Sequence, residues 1–194
     1  MLILDGTGSG RSAAVNKDNK LEVVAITATS EHNTNHHDGL AFNVCFEVTP
    51  TATDPSGGDT EACIFYMKNT SEVDITIEGI FLRLGGTGEE DTIEVRGRDE
   101  GVPVGGSVTV PTNLNLGSGN AAEGTFLLGN SITGMSGGEN INKFWITSNG
   151  TKFFNFDQDI IVPKNRILTI YSRNSVAEID GTLSFNYHPT IGAR

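Results

Sequence analysis

Apolar and polar residues alternate along several short stretches of the chain. The clearest stretch begins after Gly39, where one side of the pattern is apolar and consists of Leu40, Phe42, Val44, Phe46 and Val48. Near the end of the sequence the same alternation places on one side Ile179, Leu183, Phe185 and Tyr187. Because successive side chains of a strand point to opposite faces, each stretch predicts a strand with one face in a core.

The run from Asp74 to Leu84 changes phase at a glycine. Ile75 and Ile77 share one face, but the apolar positions beyond Gly79 fall on the other phase. A single strand keeps both halves against one core only if an extra residue is inserted between them. The pattern therefore predicts a bulge or kink at Gly79.

Asn149 and Gly150 separate two further strand-like runs, residues 141–148 and 151–156. An Asn-Gly pair accepts the positive φ angles of a tight turn, so we expect these runs to form a β-hairpin. Phe144 and Trp145 are neighbours in the first run and must point to opposite faces. We expect one of them in the core and assign Trp145 to an interface with another subunit.

About eight to ten short strands follow Gly39, with no convincing helical periodicity between them. The 24 glycines and the low charged fraction of 19% also favour strands joined by tight turns. We therefore expect an all-β protein, an antiparallel β-sandwich with a jelly-roll-like topology, over residues 39–194. Its length is that of one well-buried domain.

Residues 1–38 differ in composition and predict an extended N-terminal arm. They combine a short apolar start, a glycine-rich stretch and one strand-like run over 21–29. Such a segment buries too little apolar surface to order by itself, so we expect its strand to pair with a partner. The arm residues predicted to contact that partner are Leu2, Ile3, Leu4, Leu21, Val23, Val24 and Ile26.

The net charge is -11 and the isoelectric point is near 4.7, with basic residues dispersed along the chain. Such a surface repels phosphate backbones, which argues against nucleic acid as a partner. No apolar run approaches the roughly 20 residues that span a bilayer, and no signal peptide pattern opens the sequence. We expect no association with a membrane. We expect the protein to be made and assembled in a cytoplasm.

Two motifs suggest ligands but fit them poorly. The segment Gly6 to Ser12 is one residue shorter than a Walker A loop and has Arg11 in place of its lysine. The histidine-rich segment holding His32, His36, His37 and Asp38 matches no strong zinc spacing. We expect neither cofactor nor metal, and we interpret His36 and His37 as solvated residues near an interface, where they could make assembly sensitive to pH.

Acidic residues cluster in a glycine-rich region, at Glu89 to Asp91, Glu94, Asp99 and Glu100. A glycosidase needs two such acids opposed across a cleft, one of them in an apolar setting that raises its pKa. We expect instead a solvated rim, and no enzyme. The aromatic residues around Trp145 leave a sugar-stacking platform as the minority interpretation.

Cys45 and Cys63 fall on two expected strands that a simple hairpin could bring opposite each other. A disulfide is therefore conceivable. Two buried, reduced thiols are the favoured interpretation for a protein assembled in a reducing compartment.

Several segments, in the same order along the chain, resemble segments of a known group of proteins. They are the opening Asp5 to Thr27, Gly39 to Val44, Phe65 to Thr70, Asn113 to Ser118 and Ile160 to Leu168. Together they resemble segments of a group of tailed-phage virion structural proteins, although the histidine-rich residues 31–38 depart from that pattern. The resemblance implies a β-sandwich body on the particle surface and no catalytic residues.

From this resemblance we expect a capsid decoration or cement protein on the outer surface of the virion, assembled in the host cytoplasm. Its partners would be the major capsid protein and other virion proteins, with a homo-oligomer, such as a trimer, following from shell symmetry. The alternative is a carbohydrate- or receptor-binding sandwich module of a tail or fibre. A small hydrolase ranks last.

Overall fold

A computed structural model describes residues 3–4, 12–13, 35–51, 61–86, 90–98, 100–173 and 177–188. The chain divides into two units, residues 1–34 and 35–194. In the first unit, β1 (Ile3–Leu4) pairs antiparallel with β2 (Ser12–Ala13). No helix among the described residues is long and apolar enough to cross a bilayer.

The described strands of the second unit form three sheets. In chain order they are β3 (Ala41–Val48), β4 (Ala62–Asn69), β5 (Asp74–Leu84), β6 (Glu90–Arg98), β7 (Glu100–Val104), β8 (Ser107–Val108), β9 (Thr112–Asn113), β10 (Gly124–Leu128), β11 (Thr133–Ser136), β12 (Glu139–Thr147), β13 (Thr151–Val162), β14 (Ile167–Ser172) and β15 (Ile179–His188). The five-stranded sheet has the order β13-β5-β15-β3-β9, and the six-stranded sheet has the order β12-β6-β14-β4-β10-β8. Strands β7 and β11 pair as a separate ribbon.

The two large sheets are antiparallel and pack against each other, so the expected all-β sandwich is confirmed. One apolar cluster, with side chains from both sheets, fills the space between them. The alternation in β3 works as expected, because Phe42, Val44, Phe46 and Val48 are buried. The Phe46 ring occupies the space that a side chain at Gly181 would need.

The bulge at Gly79 is confirmed. The register with β15 shifts there, because Ser184 pairs with Gly79 while the next residue, Phe185, pairs with Ile77. The register with β13 shifts at the same place. The extra residue keeps Ile77 and Ile80 on the core side of the same strand.

The expected hairpin across Asn149 and Gly150 is wrong. β12 pairs with β6 and β13 pairs with β5, so the turn carries the chain from one sheet to the other. Only the first residue of the pair has a positive φ, 52° at Asn149, whereas the expected hairpin turn needs two. The Gly150 N–H donates to the Thr147 carbonyl oxygen, 2.7 Å away, and closes the turn.

A second apolar cluster lies on the outer face of the six-stranded sheet. On β14, Ile170 points into the main core, and its neighbour Tyr171 joins this second cluster. Ile132, just before β11, is 2% exposed and packs here, with Met135 beside it. This outer face is therefore partly covered by protein, which explains how polar residues on it become buried.

Candidate interaction surface

One side of the sandwich ends in two long edge strands, β12 and β13. Each is the last strand of its sheet, and no described strand pairs with its free side. The backbone N–H and C=O groups of such an edge can bind another strand. Four large apolar side chains on these strands are 49% to 68% exposed, namely Ile141, Trp145, Phe153 and Ile161. The pair of edges is therefore the candidate interaction surface.

Trp145 lies on this surface, as the alternation of β12 requires. It pairs with Thr92 of β6 and is half exposed, whereas the neighbouring Phe144 is buried. The prediction that one of the two aromatic residues lies outside the core is confirmed. The assignment of Trp145 to an interface remains a prediction.

An apolar groove opens between the two edges. It has a volume of about 260 Å³ and is lined by Gly97, Ile141, Ile160, Ile161, Val162, Pro163, Arg166, Ile167 and Leu168. The groove lies beside the register shifts of both edge strands, between Asn140 and Asn142 in β12 and between Asn155 and Ile160 in β13. Ile141 is the extra residue of the first shift, and its Cδ1 lies 3.5 Å from the place of a Gly97 Cβ.

A buried ionic network lies next to Trp145 on the outer face of β6. Its centre is Glu94, whose side chain has no exposed surface. One carboxylate oxygen accepts hydrogen bonds from Arg96, and the other accepts one from Arg173 at 2.9 Å and lies 3.1 Å from Lys143 Nζ. Arg96 also pairs with Glu61.

The network holds Glu94 ionised. Burial alone would raise the pKa of Glu94, but hydrogen bonds from Arg173, Arg96 and Lys143 outweigh burial and lower the pKa to about 2. The Arg96 guanidinium also lies 4.1 Å from the centre of the Tyr171 ring, a cation–π contact that links the network to the second apolar cluster. A general acid that works near neutral pH needs a raised pKa, so Glu94 is suited to a structural role.

Asp91 is also buried and has partners on β14 and beyond it. Its carboxylate accepts a hydrogen bond from the Ser172 hydroxyl at 2.6 Å and one from the Arg173 backbone N–H at 3.0 Å. These bonds tie β6 to the end of β14. Arg173 thus contacts both buried carboxylates, one through its backbone and the other through its side chain.

The expected solvated rim is wrong for Asp91 and Glu94 and fits Glu90 and Glu100, which are exposed. Glu89 and Asp99 lie outside the described residues. The error comes from treating the region as loops, whereas residues 90–98 form β6 between β12 and β14. The sequence does carry a signal for strand β6, because Ile93 and Val95 alternate with polar residues. This alternation places the polar side chains on the partly covered outer face.

The histidine-rich segment is described only from residue 35. Residues 35–37 form a single helical turn, in which His36 is partly buried and the His37 side chain is 92% exposed. His37 Nδ1 lies 3.5 Å from an Asp38 carboxylate oxygen, and Asn115 donates to the His37 carbonyl oxygen. The interface assignment of His36 and His37 stays a prediction, and His32 lies outside the described residues.

Another acidic group was not anticipated. Carboxylate oxygens of Glu47, Glu178 and Asp180 lie within 4.8 Å of one another on the outer side of the five-stranded sheet. Arg83 pairs with Asp180 and lies 3.9 Å from Glu178. Glu47 and Arg83 are far in sequence from Glu178 and Asp180, and only the register of β3 and β5 with β15 brings them together.

Most of the predicted arm contacts fall outside the part of the chain that the structure describes. Leu2, Leu21, Val23, Val24 and Ile26 lie outside the described residues. Ile3 and Leu4 form β1, with their backbones paired to Ala13 and Ser12. The assignment of these seven residues to a partner remains a prediction.

The two cysteines lie on different sheets and form no disulfide with each other. Cys63 is buried in the second apolar cluster, as the favoured interpretation requires. Cys45 is exposed on the outer face of β3, so its predicted burial is wrong. No hairpin joins their strands, because β3 pairs with β15 and β9, and β4 pairs with β14 and β10.

A larger cavity of about 460 Å³ opens between the start of β3 and residues 119–123. Its lining combines apolar residues, among them Leu40, Phe42 and Val73, with the polar residues Ser71, Asn120 and Glu123. The Tyr187 hydroxyl on its wall donates to the Glu123 carbonyl oxygen at 2.9 Å. Burial raises the pKa of Tyr187, so this hydroxyl is a poor proton donor at neutral pH.

No protein-family model matches this sequence, and no curated protein is significantly similar to it.

Proposed function

We propose that this chain is a structural protein of a tailed-phage particle, a decoration protein that binds the outside of the assembled shell and stabilises it. The observation that carries the proposal is the pair of long, open edge strands β12 and β13 with their exposed apolar side chains. Edges and apolar patches of this kind serve binding between proteins. The resemblance of several sequence segments to virion proteins directs the proposal to a phage particle.

The strand order supports a jelly-roll topology for the body. Four strands of each sheet follow the orders β13-β5-β15-β3 and β12-β6-β14-β4. Between consecutive strands of this set the chain changes sheet at every step except from β6 to β12. Eight strands in two sheets are the jelly-roll arrangement, which occurs in viral capsid and lectin domains. The topology therefore fits both the leading function and the alternative.

The ionic network supports a role without catalysis. Glu94 is fully buried, and three cations hold it in its charged form. A residue fixed in this way stabilises the sheet rather than exchanging protons with a substrate. We therefore assign Glu94 a structural role beside the candidate interaction surface.

Stabilisation would follow from binding only the assembled shell, which shifts the equilibrium away from rupture. The N-terminal arm, residues 1–38, would add a strand to the major capsid protein or to a neighbouring copy. A homo-oligomer such as a trimer would match a local symmetry axis of the shell. The protein would lie on the outer surface of the virion after assembly in the host cytoplasm.

The test uses shells of the same phage that lack this protein. Wild-type protein should sediment with such shells and raise their rupture temperature. Protein without residues 1–20 should keep the unfolding transition of the sandwich but no longer sediment with shells. Failure of the wild-type protein to bind shells would contradict the proposed function, and normal binding by the truncated protein would contradict the role of the arm.

The alternative is a carbohydrate- or receptor-binding module of a tail or fibre. The half-exposed Trp145 favours it, because an exposed aromatic ring can stack on a sugar. Reproducible binding on a glycan array that is lost in Trp145→Ala would favour this alternative over the decoration protein.

A further inference from the structure

A row of four side chains crosses the outer face of the five-stranded sheet. The register pairs Phe153 with Phe81, Phe81 with Thr182, and Thr182 with Cys45. Neighbouring strands lie about 4.8 Å apart, so the row spans about 14 Å. Phe153 is 68% exposed and Phe81 is 42% exposed, and Cys45 is also exposed. This aromatic row begins at Phe153 of the candidate interaction surface and lies on the opposite side of the sandwich from Trp145.

At the centre of the surface beside the aromatic row, Gly79 contributes no side chain. The next row toward the bulge contains Asn155, Gly79, Ser184 and Asn43. The Phe153 ring lies against the glycine, with Cε2 and Cζ 3.4 Å from where a Gly79 Cβ would stand. The Phe153 ring therefore packs against Gly79 and is still 68% exposed.

Charged residues border the aromatic row on its other side. Arg83, Asp180 and Glu47 are paired across β5, β15 and β3, and Glu178 lies beside them. Three carboxylates here face one guanidinium, which leaves a surplus of two negative charges. Same-face positions two residues apart are about 7 Å from each other, so these charges lie within reach of any partner on the aromatic row.

We propose that this face is a docking surface for a partner protein that presents apolar side chains beside lysine or arginine. The apolar groups would cover Phe81 and Phe153, and the cations would pair with the surplus carboxylates and with the aromatic ring faces. A second copy is the wrong occupant, because it would bring the same surplus negative charge from a chain of net charge -11. The inference deepens the proposed function, on which the identity of the partner as a shell protein rests.

The test uses two synthetic peptides of equal length, one alternating lysine with valine and the other alternating glutamate with valine. Each is titrated calorimetrically into the full-length protein. The lysine peptide should bind, more weakly as salt is added, and the glutamate peptide should not. The double variant Phe81→Ser/Phe153→Ser should weaken binding at least about tenfold. Val108→Ser, which removes an exposed apolar side chain from β8 at the far edge of the other sheet, is the matched control and should bind as the wild type does.

Absence of binding, equal binding of both peptides, or unchanged affinity in the double variant would each overturn the inference. Self-association of the wild-type protein that disappears in the double variant would assign the face to a second copy and overturn it too. The double variant must first show the same unfolding transition as the wild-type protein. If the wild-type protein binds the lysine peptide at this face but does not sediment with shells, the result would support this inference and contradict the proposed function.

Discussion

The rings of Phe144 and Phe154 stack across the gap between the two sheets, with centroids 3.8 Å apart and an interplanar angle of 27°. Phe144 belongs to β12 and Phe154 to β13, strands that follow each other in sequence but pair with different neighbours. Side-chain packing therefore joins these two edges where backbone hydrogen bonds do not. The stack lies at the side where the sandwich presents its candidate interaction surface.

This relationship predicts very different losses of stability at two adjacent positions. Phe144→Ala should lower the free energy of unfolding by about 3 kcal/mol, because it removes a buried ring and leaves a cavity between the sheets. Trp145→Ala should cost less than about 1 kcal/mol, because that side chain is half exposed. Urea unfolding of both variants measures the difference. Equal decreases in the free energy of unfolding would contradict the placement of the two rings.

Glu94→Gln should destabilise the fold by about 3 kcal/mol. The substitution removes the charge that Arg96 and Arg173 pair with inside the protein, and leaves those cations poorly compensated. Glu178→Gln is a matched control, because its carboxylate is 45% exposed and pairs only distantly with Arg83. It should cost no more than about 1 kcal/mol in the same urea titration. A Glu94→Gln variant as stable as the wild-type protein would contradict the central role of this carboxylate.

The network also predicts how stability changes in acid. As the pH falls below 4.5, the unfolded chain protonates Glu94 while the folded chain keeps it ionised until about pH 2. Stability is therefore lost as the pH falls between these values, by about 3 kcal/mol for this residue. The urea midpoint of the wild-type protein should fall more steeply over this window than that of Glu94→Gln. Parallel curves would show that Glu94 has an ordinary pKa.

The cysteines predict a simple labelling result. Cys45 is exposed and Cys63 is buried, and neither forms a disulfide. A thiol reagent should therefore label one cysteine per chain quickly in the native protein and the second only after unfolding. Cys45→Ser should abolish the fast phase, and Cys63→Ser should preserve it. Two unreactive thiols in the native wild type would contradict the exposure of Cys45.

The alternation of side chains was sufficient to predict the elements that face the core. The apolar sides of β3 and β15 and the bulge at Gly79 follow from local patterns, because a strand's two faces are set residue by residue. The partners of each strand do not follow in this way. Asn149 and Gly150 indicate a turn, but whether β12 pairs with β13 depends on where both lie among strands distant in sequence.

The buried charges were missed for a related reason. Glu94 and Arg96 look like solvated residues in the sequence, and only the second apolar cluster beside them makes their face of β6 inaccessible. The acidic group of Glu47, Glu178 and Asp180 likewise depends on the register of distant strands. Trp145 could be placed outside the core because its neighbour Phe144 occupies the inward position.

The central claim is that the protein works as a decoration of the shell, by surface contact. The most direct measurement is the amount of this protein relative to the main shell subunit in purified particles, by quantitative mass spectrometry. A decoration protein should be present in a fixed ratio comparable with that subunit and should be absent from particles stripped of their outer proteins. Its absence from intact particles, or its presence at only a few copies together with tail proteins, would contradict the claim.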